Sequence, residues 1–349
     1  MSFIDGPTTS NNVFRRHWNL LIGGAAAPVP PPVIGNFVAV GNAIDGGTFL
    51  PVQAKYSSDF GVSWTMPPDL SGTGRTFLAA WDNLLGSVAA IGSSFSGISI
   101  DGGINWTVSE GTGQGAFSYS CIGYDGSLWA ACAPAVIRTS ADALNWTNQT
   151  APATIGTLRG IFYTGSLWIV GGNAGACMAT SPDAATWTTP GASPFPQIGG
   201  GATGVSINTF CSFNGKLYAA GTENSIALAN YNVIWESSDN GASWTAVFTR
   251  PNSASGDAII DIASIDGVGI VALGSLGTRR AYFSSDGAAW TSISLPGPHI
   301  GYGSMVGVAG KGSNWVIVTA QGFSYTSPDG TTWTNNPIEY GSGAWAGVV

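Results

Sequence analysis

Lysine is nearly missing from this chain of 349 residues: Lys55, Lys216 and Lys311 are the three. Charged residues of every kind make up 9% of it, and the balance is acidic, with a formal charge of -8. Soluble proteins average about a quarter. A nucleic-acid partner requires a cationic face that displaces counterions from phosphate, so this composition excludes that class and disfavours an anionic membrane surface. Histidine is almost as scarce, with His17 and His299 alone. The four cysteines (Cys121, Cys132, Cys177, Cys211) lack metal-ligand spacing, so no metal site is expected. Cys121 and Cys132 flank the turn Tyr124-Asp125-Gly126-Ser127 and face each other across a hairpin in this reading. Buried free cysteines behave as small hydrophobes, which favours two separate thiols and leaves a disulfide open as the alternative.

Long apolar runs are lacking too. None approaches the roughly 20 residues of a membrane span. Arg15-Arg16 followed by Leu20-Leu21-Ile22 imitates an export signal, but Gly23-Gly24 breaks its short apolar core. Neither membrane insertion nor an export signal is expected. The phosphate loop, the dinucleotide fingerprint and any Ser-His-Asp order are absent from the sequence, so neither a cofactor nor a catalytic residue is assigned.

What the chain has is glycine, 51 residues of it, 14 tryptophans and a 44% hydrophobic fraction. These suit a fold of many tight turns, each with a large ring packed nearby. Seven segments share the pattern Ser-x-Asp, a turn of small residues, then Trp-Thr. They are SSDFGVSWT (57–65), SIDGGINWT (99–107), SADALNWT (140–147), SPDAATWT (181–188), SSDNGASWT (237–245), SSDGAAWT (284–291) and SPDGTTWT (327–334). The aspartates are Asp59, Asp101, Asp142, Asp183, Asp239, Asp286 and Asp329; the tryptophans are Trp64, Trp106, Trp146, Trp187, Trp244, Trp290 and Trp333. Most of the tryptophan intervals are 40–46 residues, the length of a four-stranded propeller blade.

These segments resemble the Asp-box (BNR) repeat found in sialidases, sortilin-type receptors and certain photosystem assembly factors. The resemblance implies that each box is the hairpin between the third and fourth strands of a blade. The chemistry agrees: a short Asp side chain accepts hydrogen bonds from the backbone of its own turn, glycine supplies φ > 0, and the indole packs between blades.

The rest of each repeat fits a blade. Small-residue inner strands are predicted at 76–81, 117–123, 160–163, 205–213, 259–265 and 305–309, each followed by a turn and an apolar strand such as Leu128-Trp129-Ala130-Ala131. Asn36-Phe37-Val38-Ala39-Val40 matches a second strand that lacks an inner partner upstream, and residues 343–349 match an inner strand with no blade to follow. Pairing the two closes the ring and removes exposed edges. The fold expected is all-β, a single seven-bladed β-propeller spanning 34–349 whose C-terminal strand completes the first blade, preceded by an extended arm at 1–33. The fifth blade is longer, with extra length at 190–201 and 224–232, which is either the place for a specific contact or a tolerated surface loop.

The arm ends in Pro28-Val29-Pro30-Pro31-Pro32, a semi-rigid spacer. Before it, Phe14, Arg15, Arg16, Trp18, Leu20 and Leu21 form the most basic and amphipathic stretch, read as an anchor for partner proteins. The sialidase resemblance implies an arginine triad, a Tyr–Glu nucleophile pair and an Arg-Ile-Pro motif, and the motif is missing. Arg75 and Arg159 precede inner strands, and Asp261 lies in one, so these three form the candidate ligand site in the channel; Asp257 flanks the strand of Asp261 as a further candidate acid, and His299 reads as a loop histidine.

The favoured reading is a non-enzymatic structural or binding propeller. Low charge with much Gly, Ser, Thr, Asn and Trp is the style of bacteriophage virion proteins, which implies assembly in the host cytoplasm, partner virion proteins at the arm and a host glycan on rim aromatics. A sialidase-like or other glycoside hydrolase and an assembly-factor scaffold are the alternatives.

Overall fold

The computed structural model describes residues 37–45, 48–50, 54–70, 77–82, 87–92, 95–110, 118–173, 175–198, 202–225, 231–251, 258–274, 280–297, 304–320, 322–337 and 344–349. They form seven antiparallel sheets, each a propeller blade. Blade 2 runs Phe77–Asp82, Val88–Gly92, Phe95–Ser99, Thr107–Glu110, and blade 3 runs Cys121–Tyr124, Trp129–Ala133, Val136–Ser140, Thr147–Gln149. Blade 4 has Leu158–Tyr163, Trp168–Gly172 and Met178–Ser181, with a bridge between Thr180 and Thr188 in place of a fourth strand. Blades 5, 6 and 7 open with the inner strands Ala202–Phe213, Ile259–Ile265 and Met305–Lys311 and end with Thr245–Pro251, Thr291–Ser294 and Thr334–Pro337.

Blade 1 is assembled from both ends of the propeller. Ala344–Val348 is its inner strand, Phe37–Asp45 its second and Ala54–Ser57 its third. Ala39 faces Val348 and Val40 faces Gly347, while Val38 and Val349 exchange two backbone hydrogen bonds of 2.8 and 3.0 Å. The closure expected from the sequence is present.

Blades pack face to face, so in four of them the second strand is a continuous buried run rather than alternating. Val88–Gly92, Trp129–Ala133, Trp168–Gly172 and Gly269–Gly274 are buried at every position. The insertion of blade 5 follows the same logic. Phe195 is buried 4.9 Å from the ring of Trp244 and 5.1 Å from that of Trp235, and the amide of Ile198 donates to Glu223 Oε2 at 2.7 Å. The insertion thus packs on blade 5, and Ser193 Oγ also lies 3.2 Å from Cys177 Sγ of blade 4.

Cys121 and Cys132 correct the expectation of separate thiols: they are joined in a disulfide. The two are direct cross-strand partners with Cα atoms 5.5 Å apart, inside the range a disulfide spans. Cys177 and Cys211 are free and buried, as expected of small hydrophobes.

Candidate functional site

The seven repeat turns share one hydrogen-bond pattern. The serine hydroxyl donates to the aspartate Oδ1 at 2.8–3.0 Å in every blade. The same carboxylate accepts amides of its own turn, for example from Ser63, Asn105, Asn145, Thr186, Ser243, Ala289 and Thr332. The indole Nε1 donates to the carbonyl three residues earlier at 2.9–3.2 Å. These donors hold the carboxylates ionised. The amides of Thr186 and Ala185 and the Ser181 hydroxyl lower Asp183 to about 2, and the Ser243 hydroxyl and amide with the Ser237 hydroxyl do the same for Asp239.

The turns also lock onto the preceding blade. A Cβ at Gly61 would meet Val316 of blade 7, one at Gly103 would meet Val38 of blade 1, and one at Gly330 would meet Phe283 of blade 6. The turn aspartates are therefore structural. Their tryptophans are buried or half-buried, and no aromatic side chain whose placement is described, Phe49 and Trp81 being outside that set, is exposed. A sugar-stacking rim, as the glycan expectation required, is not found among them.

The second polar assembly lies on the inner strands. Six of the seven bulge against their partner strand, at Ala346, Leu78, Arg159, Asn208, Ile260 and Val306 in blades 1, 2, 4, 5, 6 and 7. Such bulges re-aim side chains and are over-represented next to binding sites. Arg159 is exposed, and its guanidinium donates to Asn208 Oδ1 at 3.1 Å; Asn208 Nδ2 in turn donates to the Ile259 carbonyl at 2.7 Å. Next to the blade 6 bulge, Asp261 is partly exposed as a residue, while its carboxylate sits among three blades. It accepts the amides of Ile262 and Val308 at 2.9 Å each and the Thr209 hydroxyl at 3.4 Å. Burial pushes this carboxyl up to about 6, with the three donors pulling the other way.

Arg159 and Asp261 thus fall on one arc, Arg159–Asn208–Ile259 and Thr209–Asp261–Val308, stitching the inner strands of blades 4 to 7. Arg75, Asp257, His299 and the arm residues Phe14, Arg15, Arg16, Trp18, Leu20 and Leu21 lie outside the described residues. Sequence reasoning missed Asn208 and Thr209. The signal was available, because Ile207-Asn208-Thr209 occupies in blade 5 the place that Leu158-Arg159-Gly160 occupies in blade 4. A Tyr–Glu contact does exist, Tyr218 donating to Glu236 Oε2 at 2.9 Å. It belongs to the second and third strands of blade 5, with Tyr218 fully buried and Lys216 paired to the same carboxylate at 2.8 Å. It is a packing contact, not a nucleophile facing the channel.

The fold and this inner ring define a seven-bladed β-propeller. The DUF6242 beta propeller domain matches residues 91–290, more than half of the chain, and the chain belongs to that family. No curated protein matches it. Among solved structures it is similar to YCF48 from Cyanidioschyzon merolae, with a TM-score of 0.54 and 18% identity over 79% of this chain and 95% of that one. A structure of YCF48 bound to D1 peptide matches with a TM-score of 0.50 and 14% identity, over 76% and 82% of the two chains. Virginiamycin B lyase from Staphylococcus aureus matches with a TM-score of 0.56 and 13% identity, over 78% and 87%. At these identities the likeness is one of fold.

Proposed function

We propose that this chain is a non-enzymatic binding propeller that residues 1–33 anchor to a larger assembly. The observation that carries the reading is where its acidic side chains are used. The seven turn carboxylates are engaged by their own backbones and the Asp261 carboxylate by three blades. Glycoside hydrolysis needs two carboxylates free to act across the sugar, and these eight are held by the fold instead. A protein partner fits better than a sugar, because the described rim lacks exposed rings for stacking, and the YCF48 structure with its D1 peptide supplies a propeller of this fold holding a peptide. Kinship with Asp-box proteins and a place in a phage virion rest on the repeat pattern and the composition.

Deleting residues 1–33 is the test. The shortened chain is expected to stay folded and soluble and to fail to join its assembly; incorporation at the normal level would remove the arm as the anchor. A hydrolase is the second reading, favoured by Asp261, whose carboxyl near 6 is in the range of a general acid. Turnover on a panel of glycans that disappears in Asp261→Asn would establish it in place of ours.

A further inference from the structure

Four large hydrophobic side chains are exposed among the described residues, and three of them belong to the turns of blades 1 and 2 or directly follow one: Val62 at 52%, Met66 at 38% and Ile100 at 68%. Val62 and Ile100 lie within the repeat turns of blades 1 and 2, and Met66 directly follows the first. The repeat makes this asymmetry plain. Where blades 1 to 3 place Val62, Ile104 and Leu144 after the left-handed turn residue, blades 4 to 7 place Ala185, Ala242, Ala288 and Thr331. Position two of the turn is Ile100 in blade 2 and Ser58, Ala141, Pro182, Ser238, Ser285 and Pro328 in the other six. The sheet interior does not need these large side chains, since the four small ones support the same hydrogen-bonded turn. Exposed aliphatic residues retained in one sector of a ring mark a contact surface rather than a folding requirement.

Charge selects the occupant. Asp59, Asp101 and Asp142 stand in the same three turns, and the two described cations of blades 1 to 3, Lys55 and Arg138, are 5% and 2% exposed. The surface is thus aliphatic and anionic with no exposed cation among the described residues. A second copy would set like charges against one another, and aliphatic side chains offer no ring for a sugar to stack on. We propose that the turn rim of blades 1 to 3 is an interaction surface for a basic, apolar peptide segment of a partner protein. Aliphatic side chains of that segment cover Val62, Met66 and Ile100, and its arginines or lysines meet the turn carboxylates. Opposite charges also speed encounter and make it salt-dependent. This surface rests on the reading of the chain as a binding propeller and adds the partner's chemistry to it.

The probe is a labelled 12-residue peptide of alternating leucine and arginine carrying one photo-crosslinker, titrated by anisotropy against the full-length chain. Binding that weakens with salt, crosslinks within residues 58–66 and 100–105, and a tenfold or greater loss in Val62→Ser/Ile100→Ser with unchanged near-ultraviolet circular dichroism are expected. A version with glutamate for arginine is expected not to bind. Undiminished affinity in the double variant, or no binding by the arginine peptide, overturns the proposal. Crosslinks confined to the inner-strand ring overturn this surface while leaving the chain a binding protein. Two further outcomes overturn the external partner: tenfold tighter binding in full-length Arg15→Glu/Arg16→Glu/Trp18→Ser, which would make the chain's own segment the occupant, and self-association abolished by Ile100→Ser, which would make it a second copy.

Discussion

Within each repeat turn, serine, aspartate and tryptophan satisfy one another and the backbone, which leaves the left-handed residue as the point of strain. In blade 7 that residue is Gly330 at φ 75°, with the ring of Phe283 only 2.6 Å from where a Cβ would stand. In blade 3 it is Ala143, which adopts φ 59° despite its methyl group. A left-handed non-glycine residue costs about 1–2 kcal/mol, and glycine's extra freedom in the unfolded chain returns roughly 0.4–1 kcal/mol of that. Gly330→Ala is therefore expected to destabilise by about 1–3 kcal/mol, since overpacking adds to the strain. Ala143→Gly is expected to be neutral to slightly stabilising. Denaturant midpoints of the two variants check this, and equal losses in both would show that the backbone conformation is not the constraint.

The two kinds of aspartate also give opposite pH dependences. Unfolded aspartate titrates near 3.9. Asp183 and Asp239, lowered to about 2 in the fold, stabilise it above pH 4, and that contribution is lost as pH falls from 4 to 2. Asp261 is raised to about 6, so between pH 4 and 6 the folded state keeps a proton that the unfolded chain has released, and stability falls as pH rises through that window. Stability is expected to be greatest near pH 4 as far as these groups decide it. In Asp261→Asn the decline between pH 4 and 6 should vanish; a decline of unchanged slope would mean that the carboxyl is not desolvated.

At the scale of the element, the blade is held by its neighbours more than by itself. In four blades the second strand is buried at every position, and the repeat turns of blades 1, 2, 5, 6 and 7 clamp the blade before them. Blade 3 is the exception in carrying a covalent tie of its own, Cys121 to Cys132, across the hairpin between its first two strands. The two are separated by 11 positions in sequence, a short loop. Closing a loop of that order restricts the unfolded chain by about 2–3 kcal/mol in the chain-entropy account. Replacing both cysteines by alanine is expected to lower stability by no more than that and to leave the seven-bladed fold intact, as read from guanidinium denaturation and circular dichroism. Loss of folding altogether would make the bond the organiser of the blade rather than an addition to it.

Across the whole molecule, what repeats is legible in the sequence and what joins one repeat to the next is not. The seven turns, the four-stranded blades and the shared first blade follow from side chains that recur mostly every 40–46 residues, so a single chain displays its own comparison set. Residue types place the inner strand of blade 3 at 117–123, whereas it is Cys121–Tyr124, because small residues alone do not mark where pairing starts. The arc from Arg159 to Asp261 is half visible: both residues stand out by charge, but Asn208 and Thr209, which connect them to the adjacent blades, are ordinary strand residues until the bulges are aligned. The plug at Phe195 reads only as extra length, since nothing local says that Trp235 and Trp244 take another ring beside them. The disulfide loses out in the sequence to a general reason, the hydrophobic behaviour of buried thiols, although the hairpin register that brings the two cysteines face to face is correctly anticipated.

Ring closure is the claim on which all of this depends. Ala39 and Val348 face each other across the two chain ends, next to the doubly hydrogen-bonded pair Val38 and Val349. In the full-length double variant Ala39→Cys/Val348→Cys, mild oxidation should form an intramolecular disulfide in nearly every molecule and raise the denaturant midpoint, as expected when the loop spans almost the entire chain. Thiols that both stay reduced in the folded protein, or that link only between molecules, would mean that the two ends do not share a blade.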